Sequence, residues 1–491
     1  MSKRRSSIGP DSPYYFPFPK PPRRQRLPRT KAASRRADIN QLALPPAPTA
    51  PGLLILKPGH PKFEEHMRCY NKRTLKRPLL RGVCSSLEAV RAMVSWVRNH
   101  SLPFAVRSGG HSFEGLSNSA SIVIDVRGLK SVTFNAATGE VKVGAGAILR
   151  DIYTALSTRG AAFVGGTCPF VGIGGHVLGG GYGFLSRAFG LACDNLKSLT
   201  LVDAQSQVLD MSAAGYPELL WASKGGGGGS FGIATELVFQ THPISHVINF
   251  RVVWQLPKSS ALRVIKAWQQ WAPNASKDIT SLLNVGKLSN GKFNIRCVGQ
   301  SIGAESEVQI AIQDLVAVEA ASSMLVTRRT FFEAVKAFAG DWSNPETNFY
   351  KERSDLTPAL SDAAILTLLD ELSQIPSGHV VVLINAYGGA INDVANSATA
   401  FPHRAGTDLC LHYYSQWSSP SDTPQRMARM DKVFNAVRPH VPGSAYVNYS
   451  DLQLQDFERS YWGSNLARLK AIKRQADPNN LFFHPQSVRP A

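Results

Sequence analysis

Apolar residues along the chain switch between two periods from residue 53 onward. Leu53-Leu54-Ile55-Leu56 is a short apolar run that predicts a strand, whereas Val90, Met93, Val94 and Val97 recur at helical spacing after Ser86-Leu87-Glu88-Ala89 and predict a helix to about His100. Pro103-Phe104-Ala105-Val106, Ser121-Ile122-Val123-Ile124-Asp125 and Val141-Lys142-Val143 read as strands, and residues 148–158 as a helix stopped by Gly160. Residues 199–203 and 207–209 form a predicted hairpin, 218–223 a short helix, and 231–239 a long strand. Short strands alternating with helices make this stretch one α+β unit.

His242-Pro243 marks a boundary. Beyond it the pattern predicts a strand at 247–256, a helix at 261–271, strands across 282–298 around Ser289-Asn290-Gly291, helices at 305–317 and 362–372, and strands at 379–384 and 409–417. That is a second α+β unit, an antiparallel sheet with helices on one face. Helices at 455–461 and 465–475 follow, the second stopped by Asp477-Pro478, and no internal repeat is visible.

Composition narrows the class. With 43% hydrophobic and 18% charged residues in 491, the chain reads as a soluble globular protein, and it has no apolar run of the roughly eighteen residues a membrane span requires. The formal charge of +19 invites a nucleic-acid reading, but much of the excess lies in the first forty residues. There Lys3, Arg4, Arg5, Lys20, Arg23, Arg24, Arg26, Arg29, Lys31, Arg35 and Arg36 face only Asp11 and Asp38, interleaved with prolines that oppose helix. Residues 1–52 are therefore expected to be a disordered basic tail outside the fold, with no specific nucleic-acid partner and no membrane insertion. No apolar region follows Arg4-Arg5, which leans localisation toward the cytoplasm. Six cysteines without a C-x-x-C pair exclude a disulfide scaffold and a structural zinc site.

The candidate chemistry sits in glycine-rich loops. Arg107-Ser108-Gly109-Gly110-His111 follows a predicted strand, where glycines let backbone N–H groups approach a pyrophosphate; taken alone it also reads as a tight turn with a surface histidine. Cys168, in Thr167-Cys168-Pro169-Phe170-Val171, reads in isolation as a packed thiol. It is followed by Gly172, Gly174, Gly175 and His176, then by Gly179-Gly180-Gly181-Tyr182-Gly183, too glycine-rich for a regular element and suited to a loop pressed on a cofactor. No G-x-G-x-x-G with an acidic residue about twenty positions on is present, which excludes a Rossmann site. Gly225 to Gly229 run into Ser230-Phe231-Gly232-Ile233, and Tyr446-Val447-Asn448-Tyr449-Ser450-Asp451 stands near the C-terminus.

In this order and spacing, from about Lys57 to the C-terminus, the motifs resemble the berberine-bridge-enzyme-like branch of the vanillyl-alcohol-oxidase flavoproteins. The resemblance implies a two-domain fold with a discontinuous PCMH-type FAD domain: residues 53–243, then a substrate domain at 244–440, then a returning segment at 441–491. It implies FAD attached at two points, through His111 and Cys168, and cradled by Arg107, Ser108, Gly109, Gly110, Ser112, Gly172, Gly174, Gly175, His176, Gly179, Gly180, Gly228, Gly232, Ile233, Asn448 and Tyr449. By the same likeness Tyr446 is the catalytic base, Tyr182 a substrate-side residue, and Val171 the position where valine goes with use of oxygen and leucine with dehydrogenases.

Two positions depart from the family pattern. Cys410 stands where a lysine is usual, and His412 where glutamine bonds the catalytic tyrosine, so His412 is either the base, a partner sharing one proton with Tyr446, or a structural histidine. The expected activity is oxidation of an alcohol, a hemiacetal sugar or a secondary metabolite, with small-molecule substrate and molecular oxygen as partners and hydrogen peroxide as product. The alternatives are a dehydrogenase with another acceptor, a ring-closing oxidase, and a flavin-containing protein without turnover.

Overall fold

The computed structural model describes residues 12, 44–340, 342–343 and 347–491. The first sheet shows how the chain builds its glycine loop. Strands Leu53–Leu56 (β1), Leu80–Cys84 (β2), Phe104–Arg107 (β3) and Ile122–Asp125 (β4) lie in the order β1-β2-β4-β3, with β4 parallel to both β2 and β3. The crossover from β2 runs through the helix Leu87–Asn99, which buries Val90, Met93, Val94 and Val97. Ser86 caps that helix: its Oγ accepts from the Ala89 N–H (3.1 Å) and donates to the Pro51 carbonyl (2.7 Å). Ser86→Ala is therefore expected to lower stability by about 1 kcal/mol, read as a lower midpoint in thermal unfolding. Asp125, buried at the end of β4, is paired by Arg81 at 2.8 Å and by Arg127 at 2.5 Å before the chain enters the next loop.

Strands Val132–Asn135 (β5), Glu140–Gly144 (β6), Leu196–Val202, Val208–Met211 and Ile233–Gln240 form a second, wholly antiparallel sheet. With the short pair Ala161–Ala162 (β7) and His242–Pro243 (β11), the chain order makes the other three β8, β9 and β10, and the sheet order β5-β6-β10-β8-β9. Residues of both sheets, among them Ile124, Val143 and Leu237, share one buried cluster with the helix Leu149–Leu156.

The third sheet has seven strands: His246–Leu256 (β12), Ile279–Lys287 (β13), Phe293–Ser301 (β14), Ser323–Thr330 (β15), Phe349–Thr357 (β16), Val381–Ala386 (β17) and Leu409–Trp417 (β18). They are antiparallel in the order β15-β12-β14-β13-β17-β18-β16. Side-chain alternation divides its faces: Leu283, Ile384 and Tyr413 belong to a core shared with the helices Lys258–Trp271, Glu305–Val318, Asp362–Ser373 and Thr423–Val437. Their neighbours Leu282, Leu383 and Tyr414 point to the opposite face, which is turned toward the first unit. The expected α+β class, with an antiparallel sheet covered by helices, is what the molecule shows.

Past β18 and the Thr423–Val437 helix the chain comes back to the first unit. Trp462 and Leu469, from the helices Phe457–Trp462 and Leu466–Ala476, pack with Trp221 of the helix Pro217–Ser223. The expected tail is part of the fold at Ser12, Leu44 and Ala47. Leu44 and Ala47 pack against the first core because their apolar side chains find cover there, and Ser12 is buried with its carbonyl accepting from Arg296 Nη2 (3.0 Å). Residues 1–11 and 13–43 of the segment expected to be disordered lie outside the described residues.

Candidate active site

Strand β3 delivers Arg107 and then a turn through Gly110 at φ +75°, a conformation that favours glycine. Gly109 has no room for a side chain either, since a Cβ there would fall 2.2 Å from the Gly172 amide nitrogen. The loop that follows β3 and the loop that follows Cys168 are thus pressed backbone to backbone, and this contact brings His111 and Cys168 to one cavity of about 370 Å³. Ser108 Oγ donates to the Ala145 carbonyl at 2.7 Å and fixes the first loop to the second sheet.

His111 is held as the outer ring of an aromatic stack. Its imidazole lies on Tyr70 (centroids 4.3 Å apart, 21° between planes), and Tyr70 lies on Tyr350 of β16 (4.2 Å, 10°). Burial, reinforced by the Arg107 guanidinium, pushes the His111 pKa down to about 3, so the ring is neutral with a lone pair available at physiological pH. Cys168 is half-buried, in contrast to the other five cysteines, which are all buried.

The cavity fits a long, phosphate-bearing cofactor. Its lining includes Ser108, Gly109, Gly110, His111, Ser112, Cys168, Val171, Gly172, Gly174, Gly175, His176, Gly228, Gly232, Ile233, Tyr446, Asn448 and Tyr449, together with Tyr182 and His412. No lysine or arginine lines it among the described residues, so a pyrophosphate there would be met by backbone N–H groups rather than cationic side chains. A Cβ on Gly175 would meet nothing within 4 Å, and one on Gly228 would meet only Gly175 Cα at 3.8 Å and Leu178 Cδ1 at 4.0 Å. These two glycines keep a floor of bare backbone open to the cavity. His176 buttresses it from behind: its Nε2 accepts from the Gly166 N–H at 3.1 Å, and burial lowers its pKa to about 4, which keeps that nitrogen unprotonated.

Three residues assigned to the cradle do not line it. Arg107 turns its guanidinium away, to the Arg68 carbonyl and to Asn118 Oδ1 (3.0 Å), because the turn at Gly110 lies directly over it; its part is to hold the loop from beneath. Gly179 is covered by Asn448, whose Oδ1 a Cβ would approach to 2.1 Å, and Gly180 is packed against Phe401 and Tyr446.

On the substrate side, the Tyr446 hydroxyl accepts from the Gly181 N–H (2.8 Å) and from Asn448 Nδ2 (2.9 Å), while the same Asn448 amide donates to the His176 carbonyl (2.9 Å). Burial raises the Tyr446 pKa above the usual phenol range; the two donated bonds act in the opposite direction. His412 has a different shell. Its Nε2 lies 2.6 Å from Glu352 Oε2, and its ring stacks on Tyr449 (3.8 Å, 9°). The hydrogen bond between Tyr446 and His412 that one of the three readings of His412 requires is not formed, because each is engaged by separate partners on separate elements. Tyr182 donates to the Ala386 carbonyl (3.0 Å) and stacks on Tyr387 (5.1 Å, 12°), an anchored position rather than that of an acid or base. Cys410 is buried, with its thiol pKa pushed up by desolvation, and it does not line the cavity.

Tyr70, Tyr350, Asn385 and Tyr414 line the cavity, and Glu352 stands behind His412; none of the five was singled out from sequence. Tyr70 lacks any local signal. Glu352 and Tyr350 stand on a strand whose charged run hides its period.

The chain resembles known proteins over most of its length. Residues 78–212 match the family described as FAD binding domain, and residues 445–489 the one described as Berberine and berberine like. An uncharacterized FAD-linked oxidoreductase of Bacillus subtilis is 31% identical over 441 residues, covering 89% of this chain and 96% of that protein. Reticuline oxidase of Eschscholzia californica is 31% identical over 444 residues, 82% of each. Among solved structures, a chitooligosaccharide oxidase superposes with a TM-score of 0.82 at 27% identity, covering 89% of this chain and 97% of that one.

Proposed function

Because this chain belongs to the berberine-bridge-enzyme-like family of FAD-linked oxidoreductases, we propose that it is an oxidase of a hydroxyl-bearing small molecule, with FAD tethered through His111 and Cys168 and molecular oxygen as electron acceptor. The single observation that carries this reading is convergence: two nucleophilic side chains, a glycine floor, and the proton-handling Tyr446 and His412 all open on one cavity. FAD, when bound, supplies the hydride acceptor and passes the electrons on. The protein's own groups bind, orient and handle the proton. His111, Cys168 and the glycine backbone hold the cofactor. Tyr446, or His412, takes the proton of the substrate hydroxyl as hydride leaves the neighbouring carbon. Phe113, Tyr350, Tyr414 and Tyr449 offer flat apolar surface, and Asn385 a hydrogen-bonding group, a combination that suits a sugar ring or an aromatic alcohol. Relatives named for chitooligosaccharide and for reticuline oxidation support keeping both substrate types in the first screen.

The test is oxygen uptake by the purified yellow protein against oligosaccharides, aromatic and allylic alcohols, and alkaloid amines. Peroxide formed in step with oxygen consumed supports the oxidase. Flavin that is bleached by a substrate anaerobically but not recoloured by air overturns it in favour of a dehydrogenase. Val171, half-buried and lining the cavity three residues past Cys168, bears on that choice. Val171→Leu adds a methylene where oxygen would approach and is expected to slow reoxidation roughly tenfold or more while leaving flavin reduction by substrate unchanged. Stopped-flow reoxidation at the wild-type rate would remove Val171 from the oxygen path.

A further inference from the structure

Among the described residues Glu352 is the one acidic side chain in hydrogen-bond contact with His412, and it is fully buried with its second oxygen, Oε1, lacking any hydrogen-bond partner among them. A buried carboxylate with an orphan oxygen is costly and calls for a reason. Its place in the sheet supplies the geometry. In the β16–β18 register Glu352 lies opposite Tyr414 and Ser354 opposite His412, so Glu352 and His412 are diagonal neighbours on the face that looks into the cavity. His412 lines the cavity and Glu352 does not: going outward from the cavity, the order is imidazole, then carboxylate. The ring plane is fixed by Tyr449 stacked at 3.8 Å, with Phe113 and Tyr414 tilted against its edges.

We propose that Glu352 is the positioning residue for His412: its buried carboxylate holds the imidazole Nε2–H, so that Nδ1 takes the proton of a substrate hydroxyl. This rests on the reading of the cavity as an oxidase site and adds to it the group that orients His412. In the step, the substrate O–H bond breaks, an Nδ1–H bond forms, and the electron pair stays on the substrate oxygen. The resulting imidazolium is stabilised by Glu352 Oε2 at 2.6 Å.

The charge balance fixes the sign of the pH dependence. The accepting form carries one net negative charge, with the carboxylate ionised and a single proton on Nε2; a further proton on the pair closes Nδ1. Around the pair, Lys351 favours the ionised carboxylate, Glu114 opposes it, and burial opposes it most, while Tyr414, Tyr449 and Phe113 contribute no charge at neutral pH. With Glu352 beside it, burial pushes the His412 pKa down to about 3 and pushes that of Glu352 well above the usual carboxylate range, so the pair holds its further proton at low pH and opens Nδ1 as the pH rises.

The probe is 4-nitrophenol, whose phenolate is visible by its absorption, added to the oxidised yellow holoenzyme at a pH where the free phenol is mostly protonated. In the wild type the bound probe is expected to appear as phenolate. In Glu352→Gln, which keeps the shape and removes the charge, the phenolate fraction at the same pH is expected to fall roughly tenfold or more, and the pH midpoint of probe ionisation to move with it. Glu352→Asp, with the charge retained at shorter reach, is expected to recover part of the signal, and it decides the matter should Glu352→Gln yield no yellow protein. A probe that stays protonated in the wild type, or does not enter, or ionises equally in wild type and Glu352→Gln, overturns the proposal. Failure of the oxidase reading looks different: no compound in the oxygen screen is consumed, whatever the probe does.

Discussion

Acid precipitation of the purified protein is expected to carry the flavin into the pellet, and the single variants Cys168→Ala and His111→Ala to do the same, whereas the double variant leaves all of it in the supernatant. The expectation follows from the proposed attachment through His111 and Cys168, two side chains that line one cavity. His111 is prepared for it twice over: the stack on Tyr70 and Tyr350 fixes the ring, and a pKa held near 3 by burial keeps it unprotonated and nucleophilic at every pH at which the protein would be handled. Cys168 differs from the other cysteines in being only half-buried, and it lines the cavity, so its sulfur is within reach of a ligand there. Either bond alone survives denaturation because each is covalent, and the glycine floor alone does not, because its shape is lost on unfolding. Denaturing gel fluorescence and the absorbance of the supernatant read the outcome directly. Flavin in the supernatant of the wild type would refute both attachments, and flavin lost from one single variant only would assign the remaining bond to the other residue.

Legibility in the sequence followed physical locality. The two glycine loops were readable because backbone that must approach another backbone closely, as Gly109 does to Gly172, tolerates no other residue, and that constraint is written at the position itself. Strand β18 was readable because Leu409, Leu411 and Tyr413 alternate with residues of the other face. Strand β16 was not. Its Lys351-Glu352-Arg353 reads as a solvated loop, yet these side chains are buried: Lys351 is paired with Glu114 (2.6 Å) and Asp451 (2.5 Å), and Arg353 with Asp451 (2.7 Å) and Asp431 (3.0 Å). Those partners lie some 80 to 240 residues away, on the loop after His111, on the Thr423–Val437 helix and on the C-terminal segment, and no local pattern reveals such pairing. The same holds for Tyr70 under His111 and Glu352 behind His412, whose roles depend on sheet register. Arg107 was misread for a related reason: its residue type and position suit a phosphate contact, but the turn at Gly110 sends its guanidinium to the Arg68 carbonyl.

Tyr446→Phe and His412→Ala are each expected to slow flavin reduction by substrate roughly a hundredfold, the lower range for a lost general acid or base, and the double variant to slow it by about the product of the two. Had the two residues shared one proton, the double variant would cost little more than the worse single one, since groups acting as a unit are not additive. The hydrogen bonds argue for the product. Tyr446 draws on the Gly181 amide and Asn448, and His412 on Glu352; the two side chains share no hydrogen-bond partner among the described residues and meet through the ring of Tyr449, so their effects are expected to combine nearly independently. The single effects also differ in kind. Tyr446→Phe leaves the buried Gly181 N–H without its acceptor and the Asn448 amide with the His176 carbonyl alone, so part of its cost is positional and should not depend on pH. His412→Ala removes the group that titrates with Glu352, so the rise of the wild-type reduction rate with pH should flatten in that variant and persist in Tyr446→Phe. Anaerobic stopped-flow reduction across pH, with whichever compound supports oxygen uptake, measures both points. A double variant no slower than the worse single one would show that the pair acts as a unit through a contact made only when substrate is bound, and would return the shared proton to the two residues.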